Sequence, residues 1–397
     1  MDHVFNHQPD LPVSRAAWKI RCIDFQIVSK YNSWNLNKTQ RLAAIDEAKN
    51  TGATHISIAI PYDNPSKWFD WVTDIRSRGL LIFFRSHWNA WEGDNGASAN
   101  LTKEDYLSKT EQFIKDYPSF FKPGDLFGLA VESSNADSKG NTTFKTDGVF
   151  DIQKYKKFEI DQVRIANKSF AAIGLERQIH TWCISTNVSL LDLNGVVWNN
   201  TSGNSAGLNY RDILKYFAGR LCIDHYQSNT ITTGSAYYTA IKADLQNFKK
   251  SFPGCVLLQG EIGYATNSTP TDSEQLDVYN GFVPALLEED VVIGVNFWVN
   301  MASTNSSLWT DSGGTIVAGG RPAVSVIKTA FTQIGIKHQI QTPTGTVNGI
   351  NKVFTVTMKP LYVVADQKTY FEGAGYSILN LTITMDTAPS NSIRVVI

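Results

Sequence analysis

Eight short apolar runs, each followed by a stretch of different periodicity, recur between about residue 20 and residue 335. They read KIRCIDFQI, THISIAI, LLIFFR, LFGLAVE, QIHTWCI, RLCIDHY, CVLLQGE and VVIGVNFW. Each is apolar almost throughout instead of alternating, as parallel strands buried on both faces are. Helical patterns fit the gaps at Thr39 to Lys49, Pro65 to Ser77, Lys103 to Asp116, Ile152 to Ala172, Ala236 to Lys249 and Asp272 to Leu287. Another, Pro322 to Ile334, follows the eighth run, and between the fifth and sixth only Tyr210 to Phe217 has helical character. Gly52, Gly79, Gly174, Gly219 and Gly254 stand where helix C-caps belong. Eight strand–helix units predict an α/β chain whose residues 1–338 form a (β/α)8 TIM barrel. A doubly wound open sheet is the alternative. Its nucleotide-binding forms lose support because no G-x-G-x-x-G follows the first run and no G-x-x-x-x-G-K-[ST] occurs.

The last 59 residues, 339–397, change character. A Thr/Pro/Gly stretch, QTPTGTVNG, precedes KVFTVTM, PLYVVAD, KTYFEG, LNLTITM and SIRVVI, with Gly, Pro, Asn and Asp between them. This pattern predicts four or five short antiparallel strands in a small all-β module without a catalytic group.

Partners are narrowed by charge. The 397 residues carry a formal net charge of −1. No basic patch calls for nucleic acid, no basic amphipathic stretch calls for a membrane surface, and no apolar stretch is long enough to span a bilayer. The opening MDHVFNHQPDLPV lacks the apolar centre of an export signal. An extracellular, virion or cell-surface location, which is the expectation, requires a removed signal or another route. Cys22, Cys183, Cys222 and Cys255 lie in or beside strand-like runs without metal-ligand spacing and read as buried free thiols. Neither a metal nor a cofactor is expected, and the oligomeric state is open.

Function in such a barrel sits at the C-terminal strand ends. There the sequence sets Asp24 and Gln26, Tyr62 and Asp63, and then Arg85, His87, Trp88, Asn89 and Trp91. The fourth run gives Glu132 and Asn135, the fifth Trp182, and the sixth Asp224, His225 and Tyr226. The seventh gives Glu261 and Tyr264, and the eighth Asn296, Trp298 and Asn300. Polar, aromatic and acidic groups with few lysines suit a neutral hydroxylated ligand, so a carbohydrate is the expected partner. Bland readings compete: Arg85 as a structural partner of Asp24, His225 as a core histidine, and most aromatics as core filling. Two carboxylates dominate the set, Glu132 and Glu261, about 130 residues apart in sequence. A carboxylate at a buried strand end is costly unless solvated, paired or used, and paired carboxylates are what glycosidic cleavage requires.

On these residues the chain resembles the retaining (β/α)8 glycoside hydrolases, over roughly residues 15 to 335. The resemblance implies Glu132 as general acid/base after strand four and Glu261, in QGEIGY, as nucleophile after strand seven. It further implies that Tyr226 hydrogen-bonds the nucleophile and that Trp298 forms the floor of the sugar site. His87, Asn89, Trp88, Arg85, Asn135, Trp182, His225 and Asn296 complete the expected binding set. One departure stands out: members of that clan mostly carry Asn before the acid/base, and here Val131 holds the place. The implied activity is hydrolysis of a poly- or oligosaccharide. A non-catalytic carbohydrate-binding or phage structural protein on the same barrel is the competing reading. A muramidase of the other barrel type fits less well, because the position two before Glu132 is Ala130 and not Asp. The tail, on its GTVNGxNxxFT opening, weakly resembles β-modules of phage-tail and cell-wall-targeted proteins.

Overall fold

The computed structural model describes residues 18–31, 34–86, 88, 101–129, 144–185, 191–197, 208–217, 219–227, 231–264, 270–301 and 306–332, and in the tail 340–341, 343–348, 350, 352–356, 362–365, 368–372, 375–379, 382–385, 388–389 and 393–396. Two compact units emerge, Trp18–Thr332 and Gln333–Ile397.

In the first unit eight parallel strands close into a barrel: β1 (Ile20–Asp24), β2 (His55–Ile58), β3 (Leu81–Arg85), β4 (Leu126–Leu129), β5 (His180–Ser185), β6 (Arg220–Asp224), β7 (Val256–Ile262) and β8 (Val292–Phe297). Neighbours follow sequence order, and β1 pairs with β8 through Ile20↔Gly294 and Cys22↔Asn296 to close the ring. A five-residue helix, Gln26–Lys30, directly follows β1, and the helices between and after the strands are α1 (Lys38–Asn50), α2 (Pro65–Ser77), α3 (Lys103–Asp116), α4 (Ile152–Ala172), the short α5 (Arg211–Leu214), α6 (Gly234–Ser251), α7 (Asp272–Leu287) and α8 (Ala323–Thr332).

Their starts are chemically marked. Asn37 and Thr271 form capping boxes with Gln40 and Glu274, Asn64 caps α2 ahead of Pro65, and Thr102 and Asp151 cap α3 and α4. The five glycines expected between helix and strand all have φ between 71° and 91°, a region closed to most side chains.

Strand residues divide between two cores. Ile23, Ile56, Phe84, Phe127, Leu221, Leu257 and Phe297 face the helices, packed among Trp68, Phe113, Phe158, Phe248 and Phe282. Ile20, Cys22, Phe83, Leu126, Trp182, Cys222 and Leu258 fill the barrel's interior. That apolar plug has polar layers at both ends. His55, His180 and Arg220 lie towards the strand N-termini, and Asp24, Ser57, Arg85, Asp224 and Asn296 towards the C-termini.

In the second unit a seven-stranded sheet runs β9 (Ile340–Gln341), β15 (Ile393–Val396), β11 (Tyr362–Ala365), β12 (Lys368–Glu372), β13 (Gly375–Leu379), β14 (Thr382–Met385), β10 (Val353–Thr355). The sequence predicts four or five antiparallel strands, so the structure adds strands and one parallel pairing, β12 with β13. LNLTITM is not one strand: Leu379 ends β13 and pairs with Thr382 at the start of β14.

Candidate active site

Glu261 owes its position to one extra residue in β7. Leu258 faces into the barrel, while Leu257 and Ile262 belong to the outer core. Gln259 also faces outwards, against the His225 ring. Simple alternation from Leu258 would turn Gly260 in and Glu261 out. The register slips instead: Ile223 pairs with Gln259, but Asp224 pairs with Glu261. Gly260 is the unpaired residue of a β-bulge, which re-aims the side chain that follows. A methyl group on Gly260 would lie 2.6 Å from both Asp224 Oδ1 and Cys222 Sγ, so the bulge needs glycine there.

Turned inward, Glu261 is 8% exposed. Arg85 Nη1 lies 2.6 Å from its Oε1, and the Tyr226 hydroxyl donates to Oε2 at 3.0 Å. Two donors on two oxygens, one of them cationic, favour the charged carboxylate. The His225 N–H donates to the Glu261 main-chain carbonyl at 2.7 Å and so fixes the backbone at this position. Burial, and then the adjacent Glu261, push the Tyr226 phenol well above its usual range, so it remains a donor.

Arg85 is fully buried between acids. Its Nη1 also lies 3.4 Å from Asp24 Oδ2, and its Nη2 3.4 Å from Asp224 Oδ2. Burial alone would lower the guanidinium pKa; Glu261, Asp224 and Asp24 reverse that and hold it well above the normal value. Of the two expectations for Arg85, the structural one is seen: it pairs with Asp24, and it also reaches Glu261. Being 0% exposed, it offers no surface to a ligand, unlike its place in the expected binding set.

Four residues expected at a ligand surface are placed elsewhere. Trp88 is buried between α2 and α3, its Nε1 donating to Thr110 at 2.9 Å and its ring edge-on to Tyr62. Trp182 is wholly buried in the barrel plug, with the Arg220 guanidinium 5.5 Å from its ring. His225 points at α6, where Asp244 Oδ2 is 3.0 Å from Nε2, while Gln259 Oε1 is 3.1 Å from Nδ1; Gln227 bridges to the same Asp244 oxygen at 2.7 Å. Asn296 is wholly buried beneath Glu261, bonded to Asp24 and to the Gly260 carbonyl. For Trp182, His225 and Asn296 a nearly continuous apolar run gives no alternation from which to read the facing; Trp88 lies beyond the end of β3.

Trp298 is half-buried at the end of β8, where its N–H donates to the Ile262 carbonyl at 3.0 Å, and the Trp298–Val299 peptide is cis. Glu132, Asn135, His87 and Asn89 lie outside the described residues. Ser57 and Gly260 were missed by sequence reading. Ser57 donates to Asp24 from an inward position on β2, and the one available signal for Gly260 was a glycine inside a strand run.

Cys22 and Cys222 are buried thiols, pushed well up by burial and then by Asp24 and Asp224 respectively. Cys255 is half-buried instead, because it precedes β7 at the barrel's edge. The Cys183 side chain lies outside the described set. Among the described residues no His/Cys/Asp/Glu group is arranged to hold a metal ion, and no helix is long and apolar enough to cross a membrane.

No protein-family model and no curated protein matches the sequence. Solved structures do match the fold. A β-glucosidase from Thermotoga maritima, in complex with methoxycarbonyl-substituted glucoimidazole, aligns with a TM-score of 0.51 at 10% identity, over 80% of this chain and 98% of that one. A Faecalibacterium prausnitzii β-glucuronidase aligns at 0.52 and 9% identity, over 80% of this chain and 49% of its own. A Ruminococcus gnavus β-glucuronidase in complex with D-glucaro-d-lactam aligns at 0.51 and 11%, over 79% and 49%. This chain spans about half the length of those two glucuronidases. At such identities the likeness establishes the barrel fold and nothing finer.

Proposed function

We propose that this chain is a glycoside hydrolase that cleaves a poly- or oligosaccharide by double displacement, with Glu261 as nucleophile and Glu132 as general acid/base. The observation that carries the reading is the inward turn of Glu261 at the C-terminal end of β7, between the Arg85 guanidinium and the Tyr226 hydroxyl. The barrel shared with a β-glucosidase and two β-glucuronidases supports it.

In the first step a Glu261 oxygen attacks the anomeric carbon while the glycosidic C–O bond breaks. The leaving oxygen takes the proton of Glu132. In the second, Glu132 takes a proton from water, the resulting oxygen attacks the anomeric carbon, and Glu261 is released. Tyr226 and Arg85 hold the carboxylate ready and stabilise it as it departs. This chemistry requires the two carboxyl groups to be about 5–5.5 Å apart.

A panel of activated aryl β-glycosides and polysaccharides tests the proposal. Glu261→Ala is expected to lower kcat by at least about 10³-fold, about 4 kcal/mol of barrel-mouth chemistry. Added azide should restore turnover and yield a glycosyl azide of inverted configuration. Binding of glycans without hydrolysis, unaffected by Glu261→Ala and Glu132→Ala, would overturn it in favour of the non-catalytic carbohydrate-binding reading.

A further inference from the structure

The bulge that presents Glu261 leaves a backbone group to be satisfied. With Gly260 turned inward, its carbonyl also points into the barrel, and a buried carbonyl requires a donor. Asn296 supplies the closer one: its Nδ2 lies 2.7 Å from the Gly260 oxygen, against 3.3 Å for Arg85 Nη1. The same Nδ2 donates to Asp24 Oδ2 at 2.7 Å and has Ser57 Oγ at 3.3 Å. With acceptors on both sides of the nitrogen, the amide cannot be turned over without losing both. Asp24 is fixed in turn by the Gln26 N–H at 2.7 Å, by Ser57 and by Arg85. Asn296 itself is 0% exposed, so a bound ligand does not meet it.

We infer that Asn296 is a positioning residue for Glu261: it pins the Gly260 bulge to Asp24 and so sets where the neighbouring carboxylate stands. The inference rests on the reading of Glu261 as the attacking group. Through that group, a displacement of about 1 Å is enough to cost about 10²-fold in rate. Asn296→Asp keeps the shape, removes the donor, and places a carboxylate against both Asp24 and the Gly260 carbonyl.

The test uses the full chain and has two readouts. On a 2,4-dinitrophenyl β-glycoside, Asn296→Asp should lower kcat about 10²-fold with KM changed by less than about twofold. In amide hydrogen exchange, residues 256–264 should exchange at least about tenfold faster than in the parent, with β2 and β3 unchanged. A raised KM at constant kcat would make Asn296 a substrate ligand and overturn the inference, as would unchanged exchange in 256–264. The exchange readout needs no turnover. A parent chain inactive on every glycoside therefore sinks the hydrolase proposal while exchange still decides the role of Asn296 in holding the bulge. If Asn296→Asp does not fold, Asp24→Ala, which removes the acceptor orienting the amide, is read by the same two measurements with the same expected directions.

Discussion

Arg85 is the residue on which most of the barrel mouth depends electrostatically. Three carboxylates approach it, at 2.6, 3.4 and 3.4 Å, and all of them are buried. A buried charge left without its partner typically costs about 3–5 kcal/mol. Arg85→Met should therefore destabilise the first unit by several kcal/mol at pH 7, read as a lowered urea midpoint. The deficit has a definite pH dependence. Without the guanidinium, the carboxylates of the folded state take up protons more readily than those of the unfolded chain. Stability in the variant is then favoured at low pH and lost as pH rises. The gap between variant and parent should narrow from pH 7 to pH 5; a gap that is constant or widens on acidification would show that the three acids do not share this cation.

At the scale of elements, the strands and helices differ in how openly the sequence declares them. Helices α2, α3, α4 and α7 begin and end where their patterns predict, because Asn64 with Pro65, Thr102, Asp151 and Thr271 announce their starts. The eight strands are equally plain as apolar runs. What those runs conceal is facing, since a strand buried on both sides has no polar alternate. Trp182, His225 and Asn296 were placed at the right strand ends but with the wrong surroundings for that reason. Glu261 and Tyr226 were readable because each polar group closes a run and so stands out from it. The bulge at Gly260 was the least legible feature, being a matter of register and not of composition. It is also directly testable. Gly260→Ala puts a methyl group 2.6 Å from Asp224 Oδ1 and Cys222 Sγ. The strand must shift to relieve this, and turnover should fall about 10²-fold or more even where the circular dichroism and melting profile show a folded barrel. Full activity in a folded Gly260→Ala protein would mean that the bulge does not set the position of Glu261.

For the barrel as a whole, the layer at the strand N-termini bears on stability as the opposite layer bears on the proposed chemistry. His55 is buried with Nδ1 2.7 Å from Thr54 Oγ1 and Nε2 3.2 Å from the Gly124 carbonyl. His180 Nδ1 lies 2.8 Å from Arg220 Nη1, which obliges that nitrogen to accept and the ring to remain neutral. Burial, helped by the charges of Arg21 and Arg76 for His55 and of Arg220 for His180, lowers both imidazoles to about 4. In the unfolded chain they titrate near about 6.5. Above that pH both states are neutral and the stability of the arrangement is fully present. Between about 6.5 and about 4 the unfolded chain binds protons that the folded barrel refuses, so stability falls as pH falls, by up to about 1.4 kcal/mol per pH unit for each histidine. Below about 4 the dependence flattens, because both states are then protonated. Urea unfolding at pH 7.5, 5.5 and 4.5 measures the slope, and replacement isolates the source. His180→Asn retains an acceptor for Arg220, and His55→Gln retains a donor for Gly124. Each should remove about one proton from the acid dependence while leaving stability at pH 7.5 nearly unchanged. If the double variant loses stability on acidification as steeply as the parent, the acid sensitivity arises from the carboxylates and not from this buried layer.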